Sequence, residues 1–301
     1  MTGGLAAAYA SCEQSARAHY ENFPVASRLV PQHMRHHVAA VYSFARAADD
    51  FADEGTRPVE ERHRLLDGWL CRLREAVSRE SHAPGRPADV GEPANTSEIF
   101  MALGATIRDK HLPPGLFEDL LSAFRQDVTV TRYASWMDVM DYCRRSANPV
   151  GRLVLRIADY RDGTLDGWSD AICTALQLTN FWQDLKIDFD RGRVYIPEDE
   201  LRAHGASPSD LAGSMMTPAW TRSVAAAVSR TRALFDEGLP LCDAVRGRLK
   251  YELRATWLGG TRILDRLERS EYDMIHRRPS LGLADAPWFA WRMLSWSSSA
   301  S

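Results

Sequence analysis

Asn180, Asp184 and Asp188 recur every four residues in the stretch 177–197, QLTNFWQDLKIDFDRGRVYIP. On a helix that spacing sets a carboxamide and two carboxylates on one face, in successive turns. Between them run Leu178, Phe181, Trp182, Leu185 and Ile187, mostly core types. Acids stacked without a Lys at helical spacing repel one another, unless a cation sits on them or water surrounds them. A second cluster lies at 49–54, DDFADE, where Asp49 and Asp53 share a face. Tyr42, Arg46, Asp49 and Asp53 extend it as one stripe at i, i+4, i+7 and i+11. Taken alone, that stripe also fits a solvated face with an Arg46–Asp50 helix pair.

Two such clusters, each on an otherwise apolar helix, are more specific than one. If Asp49 and Asp53 face Asn180, Asp184 and Asp188 across a bundle, every ligand on offer is oxygen. Oxygen-only sites with open positions suit Mg²⁺ and leave room for phosphate oxygens. A diphosphate bridged by Mg²⁺ is a good leaving group, because the metal takes up the charge of departure. Arg46 and Arg193 can add bidentate contacts to it. The carbocation left behind needs an apolar, aromatic-lined pocket that excludes stray water.

Helices must position these groups. Ala, Leu, Arg and Glu dominate the chain, and neither β-branched alternation nor a βαβ rhythm is present, so the expected class is all-α. The pattern predicts a helix over 5–21 that ends at Asn22-Phe23-Pro24, and another opened by Pro31 and closed near Gly55 and Pro58. Further helices are expected over 59–77, 98–109, 113–131, 135–144, 168–190, 219–240 and 242–272. The small-residue run 146–151 marks a kink or close backbone approach, and Gly192 should stop the acid-bearing helix. Residues 78–97, rich in Pro, Gly and Ser, are expected to be a flexible loop inside one domain spanning 1–301. The aromatic-rich tail, 279–301, fits either a last helix docked on the core or a surface that touches a membrane or a partner.

Composition narrows the classes. Of 301 residues 45% are apolar and 26% charged, ordinary for a globular protein, and the net charge of −3 implies no attraction to nucleic acid. Five scattered cysteines without a CxxC pair favour neither a disulfide framework nor zinc, and point to a reducing cytosol. His33, His36 and His37 have no other ligand type nearby, so no zinc site is expected there. There is no basic n-region before Arg17 and no run of about 18 apolar residues, so neither a signal peptide nor a transmembrane helix is expected.

The clusters at 42–54 (YSFARAADDFADE) and 177–197 resemble the paired aspartate motifs of the squalene/phytoene synthase family. The similarity covers nearly the whole chain, including Phe23, Tyr142 with Ala147 and Val150-Gly151, and Ile263-Leu264-Asp265. The resemblance implies an isoprenoid-synthase helical bundle around a central cavity. It implies Mg²⁺ on Asp49, Asp53, Asn180, Asp184 and Asp188, with Tyr42, Arg46, Arg193 and Arg278 near substrate phosphates or the pocket, and Phe23 among the substrate-binding residues.

Three departures matter. The family's Ser or Lys near the first helix break is replaced here by His19-Tyr20-Glu21-Asn22-Phe23. Its Arg before the first Asp of the second motif is Gln183, and a Tyr ahead of the Ile-Leu-Asp run is Gly260. Fewer cations suit one diphosphate rather than two. The strings at 22–27 and 180–184 are similar to the branch that makes hydroxysqualene in bacterial hopanoid pathways. That branch implies presqualene diphosphate as substrate, ionised, rearranged and quenched by water without a hydride donor. Tyr142 and Gln183 are the candidates for positioning the water, though ordinary buried hydrogen bonding accounts for them as well. The alternatives are head-to-head condensation to presqualene diphosphate or phytoene, and a non-catalytic binding or assembly relative. A maker of C30 lipids in the cytoplasm is compatible with a place peripheral to the inner face of the membrane, beside neighbouring hopanoid-pathway enzymes.

Overall fold

The computed structural model describes residues 3–18, 29–53, 55–78, 86–213 and 215–296. Phe23, the rest of the 19–27 stretch and Glu54 therefore lie outside the described residues. Among the described residues the chain is all-α, and its only β pairing is an isolated parallel bridge between Arg132 and Val194. The helices are α1 (Gly3–Ala18), α2 (Gln32–Asp53), α3 (Val59–Ser78), α4 (Thr96–Lys110), α5 (Pro114–Asp127), α6 (Trp136–Ser146) and α7 (Asn148–Ile157). They continue as α8 (Gly163–Gln183), α9 (Leu185–Asp190), α10 (Glu198–His204), α11 (Pro218–Gly238), α12 (Leu241–Ala244), α13 (Gly247–Arg269) and α14 (Ala286–Leu294).

Two compact units arise. The first comprises Met1–Thr129 and Pro149–Asp162, and the second Val130–Asn148 and Gly163–Ser301. One of the crossings falls at Asn148, inside the run 146–151 where the sequence predicted a kink. There α6 stops and α7 begins, with Ala147 between them.

In the first unit α2 is the central element, packed against α1, α3, α4 and α5. Its buried side carries Val41, Phe44, Ala48 and Phe51. Phe44 meets Phe117 edge-on at 5.5 Å and stacks on Trp69 at 6.1 Å, and Trp69 meets Phe100 at 4.6 Å. Such offset and edge-on pairs add to the area these rings bury. Arg72 is buried in α3. It donates to Glu92 (2.9 and 2.7 Å), to Asp89 (3.2 Å) and to the carbonyls of Arg86 and Pro87. That network fastens the described end of the 78–97 connector onto α3. His36 and His37 of α2 pack among α1 and α4. His37 Nδ1 and the Tyr9 hydroxyl each lie 3.0 Å from Thr106 Oγ1, and the His36 ring lies against His37 at 3.9 Å.

In the second unit α8 is central, packed mainly on α11 and also on α13 and α6. Trp182 is fully buried, and its indole N–H donates to Thr231 Oγ1 at 2.8 Å. Thr231 Oγ1 in turn donates to the Ala227 carbonyl at 2.8 Å. Buried Glu200 of α10 accepts from the Trp136 indole at 2.6 Å, which ties α10 to α6. The predicted helix over 242–272 divides into α12 and α13 and ends three residues early. There Glu271 and Tyr272 take left-handed conformations, φ 53° and 61°. The tail helix α14 forms, but none of its residues is buried. Trp288 lies under Arg262 and Trp296 under Arg254, each at 4.7 Å, while Trp291 and Leu294 are exposed. Among the described residues no helix is long and apolar enough to cross a membrane.

Two outcomes are expected. Thr231→Val keeps the volume but leaves the buried Trp182 N–H without its acceptor. Urea unfolding should show a loss of about 1–3 kcal/mol at unchanged m. His37 is held neutral: burial, reinforced by His36 and opposed by Asp109, lowers its pKa from 6.5 to about 4. The unfolded chain then binds more protons below pH 6.5, so this contribution to stability falls as pH drops from 6.5 towards 4 and is flat below that. His37→Asn should reduce the slope of unfolding free energy against pH in that window, read by denaturant titrations.

Candidate active site

The acid-bearing helix is not the single helix expected over 168–190. α8 ends at Gln183, Asp184 leaves helical geometry (φ −103°, ψ 12°), and α9 begins at Leu185. The backbone ladder nonetheless runs through the motif. Asp184 N–H donates to the Asn180 carbonyl (2.9 Å), and Asp188 N–H to that of Asp184 (2.8 Å). Asn180, Asp184 and Asp188 therefore remain one turn apart, as their spacing predicts. Beneath them Leu178, Phe181, Trp182 and Leu185 are buried, so the polar groups are carried on an apolar floor.

Gly192 closes the motif with φ 81°, a conformation an L side chain rarely takes. The chain then folds back, and the Arg193 N–H donates to the Asp188 carbonyl at 2.8 Å. Arg193 is half-buried at this turn. Two residues on, the Tyr195 ring stacks flat on Phe181, centroids 3.7 Å apart and planes 4° apart. Tyr142 approaches Phe181 at 6.0 Å, and Tyr133 approaches Tyr195 at 6.0 Å. All four rings are buried. Tyr142 was expected at the site, and the structure sets it in this aromatic cluster beside the second motif.

Gln183 and Arg278 come together with the motif through long-range contacts. Arg278 Nε donates to Asp184 Oδ1 at 2.5 Å and Nη2 to Oδ2 at 3.3 Å. This contact raises the guanidinium pKa further above its usual value. Gln183 Nε2 donates to the Pro279 carbonyl at 2.6 Å, so its amide hydrogen serves the 278–279 segment.

In the first motif, Tyr42, Arg46 and Asp49 are half-buried and Asp53 is exposed, while the opposite side of α2 is core. Arg46 reaches Asp50 (2.7 Å) and Asp49 (3.5 Å) along the helix, which is the anticipated Arg46–Asp50 pair. Burial pushes the Tyr42 hydroxyl above its ordinary pKa, with Arg46 pulling the other way. Tyr42 is therefore a hydrogen-bond donor at neutral pH. Arg62 closes the C-terminal end of α2, donating to the carbonyls of Ala52, Gly55 (2.9 Å) and Arg57 (3.0 Å). A cation there also complements the helix dipole. Nothing in the spacing marks Arg62 for this task, since it lies on the next helix.

Gly260 lies in α13 where the resemblance anticipated a Tyr. A Cβ there would stand 2.3 Å from Phe235 Cζ and 3.0 Å from Leu176 Cδ2. The lost aromatic is thus matched by Phe235, whose ring occupies the space against bare backbone.

The donors fit a hard cation. Asn180, Asp184 and Asp188 offer only oxygens, as do Asp49 and Asp53. Among the described residues no three His, Cys, Asp or Glu side chains gather tightly enough to hold a metal by themselves. Mg²⁺ suits such open sets, because it keeps waters and takes phosphate oxygens to complete its shell.

The profile of the squalene/phytoene synthase family matches residues 16–285, and the chain belongs to that family of enzymes. It is 35% identical over 263 residues to hydroxysqualene synthase of Rhodopseudomonas palustris, covering 86% of this chain and 84% of that one. With hydroxysqualene synthase of Zymomonas mobilis it shares 38% identity over 231 residues, 76% and 72% of the two chains. The crystal structure of squalene synthase HpnC from Alicyclobacillus acidocaldarius superposes with a TM-score of 0.80 at 38% identity, over 91% of this chain and 97% of that one. The fold is therefore the isoprenoid-synthase helical fold.

Gly260→Ala gains up to about 1 kcal/mol in helix propensity, yet should destabilise the protein by about 1–3 kcal/mol net because Phe235 cannot yield. Adding Phe235→Leu to Gly260→Ala should cost less than the two single losses summed, which a double-mutant cycle in urea would show.

Proposed function

We propose that this protein converts presqualene diphosphate and water to hydroxysqualene and diphosphate. The observation that carries this is the similarity to hydroxysqualene synthases over more than three quarters of the chain. Gln183 supports it. At this position an amide committed to the Pro279 carbonyl stands in place of a cation, which suits one diphosphate rather than two.

Asn180, Asp184 and Asp188, with Asp49 and Asp53, would hold Mg²⁺, which supplies a positive charge for the departing diphosphate when bound. Arg46, Arg193 and Arg278 bind and orient the diphosphate through charge-assisted hydrogen bonds. The carbinyl C–O bond breaks and both its electrons leave with the diphosphate. The cyclopropylcarbinyl cation rearranges in apolar surroundings, where Phe181, Tyr195, Tyr142 and Tyr133 offer ring faces and exclude bulk water. A water oxygen then bonds to the cation and passes one proton to the departed diphosphate, which gives the alcohol. Tyr142 is the anticipated water-positioning group that belongs to this aromatic cluster, and is the candidate to hold that water. In this proposal residues 1–301 act as a single catalytic domain.

A second assignment is head-to-head condensation of two prenyl diphosphates. It is favoured by the 38% identity to a structure described as a squalene synthase.

The test is a product assay with Mg²⁺. Presqualene diphosphate is supplied in one reaction and farnesyl diphosphate in another, with hexane extracts read by mass spectrometry. A C30 alcohol from presqualene diphosphate alone is expected. Consumption of farnesyl diphosphate would establish the condensing reaction instead, and no turnover of either would leave a binding or assembly role. Asp184→Asn should lower turnover at least about 100-fold with an unchanged circular dichroism spectrum, because one metal-binding oxygen becomes an amide nitrogen.

A further inference from the structure

The second aspartate motif already carries a cation of the chain's own. The two contacts from Arg278 take both oxygens of Asp184, at 2.5 and 3.3 Å, across 94 residues of sequence. The segment that delivers Arg278 follows α13 and is pinned on either side of it. Ahead of it, Met274 is buried in the core. Beyond it, Asp285 is only 3% exposed and accepts from Arg266 at 2.6 Å. Between these anchors Gln183, the residue preceding Asp184, donates to the carbonyl of Pro279, the residue following Arg278. Proline restricts the backbone at that point. The Arg278 backbone is thus held beside the motif by a neighbour of the very carboxylate its side chain pairs with.

We infer that Arg278 is a resident counter-cation of Asp184, exchanged for the metal when metal and diphosphate arrive together, and that Gln183 is the positioning residue that keeps it in reach of both. The inference rests on the function proposed above. A divalent ion on Asp184 would stand within a few ångström of the guanidinium that contacts both its oxygens, and the two positive charges repel, so loading drives the side chain away. Arg278 is half exposed, 53% against 29% for Asp184, so its side chain is free to swing while the Gln183–Pro279 bond holds the backbone. Leaving for water alone gives up the ion pair. Leaving for a diphosphate oxygen replaces one charge-assisted contact with another. Metal without diphosphate is therefore disfavoured, and each of the two ligands strengthens the other's binding.

The test reads metal binding directly. Mn²⁺ is used as a paramagnetic probe, and its free fraction is followed by electron paramagnetic resonance with and without inorganic diphosphate. In the wild type, diphosphate should tighten Mn²⁺ binding at least about tenfold. Arg278→Gln should bind Mn²⁺ alone several-fold more tightly than the wild type, and diphosphate should add less than it does in the wild type. Gln183→Met keeps the size and removes the donor. It should weaken the diphosphate effect with little change in thermal midpoint, an outcome that a merely structural role would not produce. Unaltered Mn²⁺ affinity in Arg278→Gln, with the diphosphate effect intact, overturns the exchange and leaves the proposed function standing. Failure of the wild type to bind Mn²⁺ even with diphosphate, equally in Asp184→Asn, overturns the assignment of the site and the exchange with it.

Discussion

Like charges gathered on one helical face have to be balanced, and the two aspartate motifs of this chain are balanced in different ways. In the first, Arg46 sits one turn before Asp49 and Asp50 and reaches both along the same helix. In the second, α8 and α9 bring no arginine to Asp184, and the charge comes from Arg278, beyond α13. A pair within one helix is a local matter. The second pair exists only when α13 and the chain after it are folded onto α8. The electrostatics of the second motif are therefore tied to the packing of the second unit.

That packing also explains why the motif helix tolerates so many polar groups. Trp182, Leu178, Phe181 and Leu185 bury the opposite side, and the Trp182 indole is hydrogen-bonded to Thr231 of α11. Burial of several large side chains contributes more than exposed carboxylates cost when they are partly hydrated and paired. The flat stack of Tyr195 on Phe181 belongs to the same arrangement. The chain turns at Gly192, returns past Arg193, and lays the Tyr195 ring against the helix it has just left. Carboxylate oxygens, an arginine and π faces thus arise from one turn and the helix before it, which is the set that the ionisation proposed above would draw on.

Membership of the squalene/phytoene synthase family fixes the class of enzyme, and the choice among its reactions proposed above leans on the charge set against the substrate. Gln183 bears on this twice. It is a neutral residue where the family resemblance anticipates a cation, and its amide is engaged by the Pro279 carbonyl. Gly260 is a comparable replacement, because the aromatic ring at that place comes from Phe235 on α11. At Gly260 a change that looks like a loss in one segment is thus met by a ring from another.

Much was legible in the amino-acid order because it depends on period and local chemistry. The all-α class follows from composition and the 3.6-residue pattern, the break at 146–148 from small residues and proline, the turn at Gly192 from its freedom at positive φ. The alignment of Asn180, Asp184 and Asp188 follows from their spacing, which the backbone ladder keeps even where Asp184 departs from helix. The helical interruption at Asp184 itself, the early end of α13 and the exposure of α14 did not follow, because each is set by neighbours distant in sequence. The same holds for Arg62 on the end of α2, Arg72 on the 86–92 segment, Arg278 on Asp184 and Tyr195 on Phe181. Periodicity determines which face of a helix a side chain occupies. Which charge or ring arrives opposite that face is decided only when separate helices pack, since the contact energy depends on distances that no local spacing encodes.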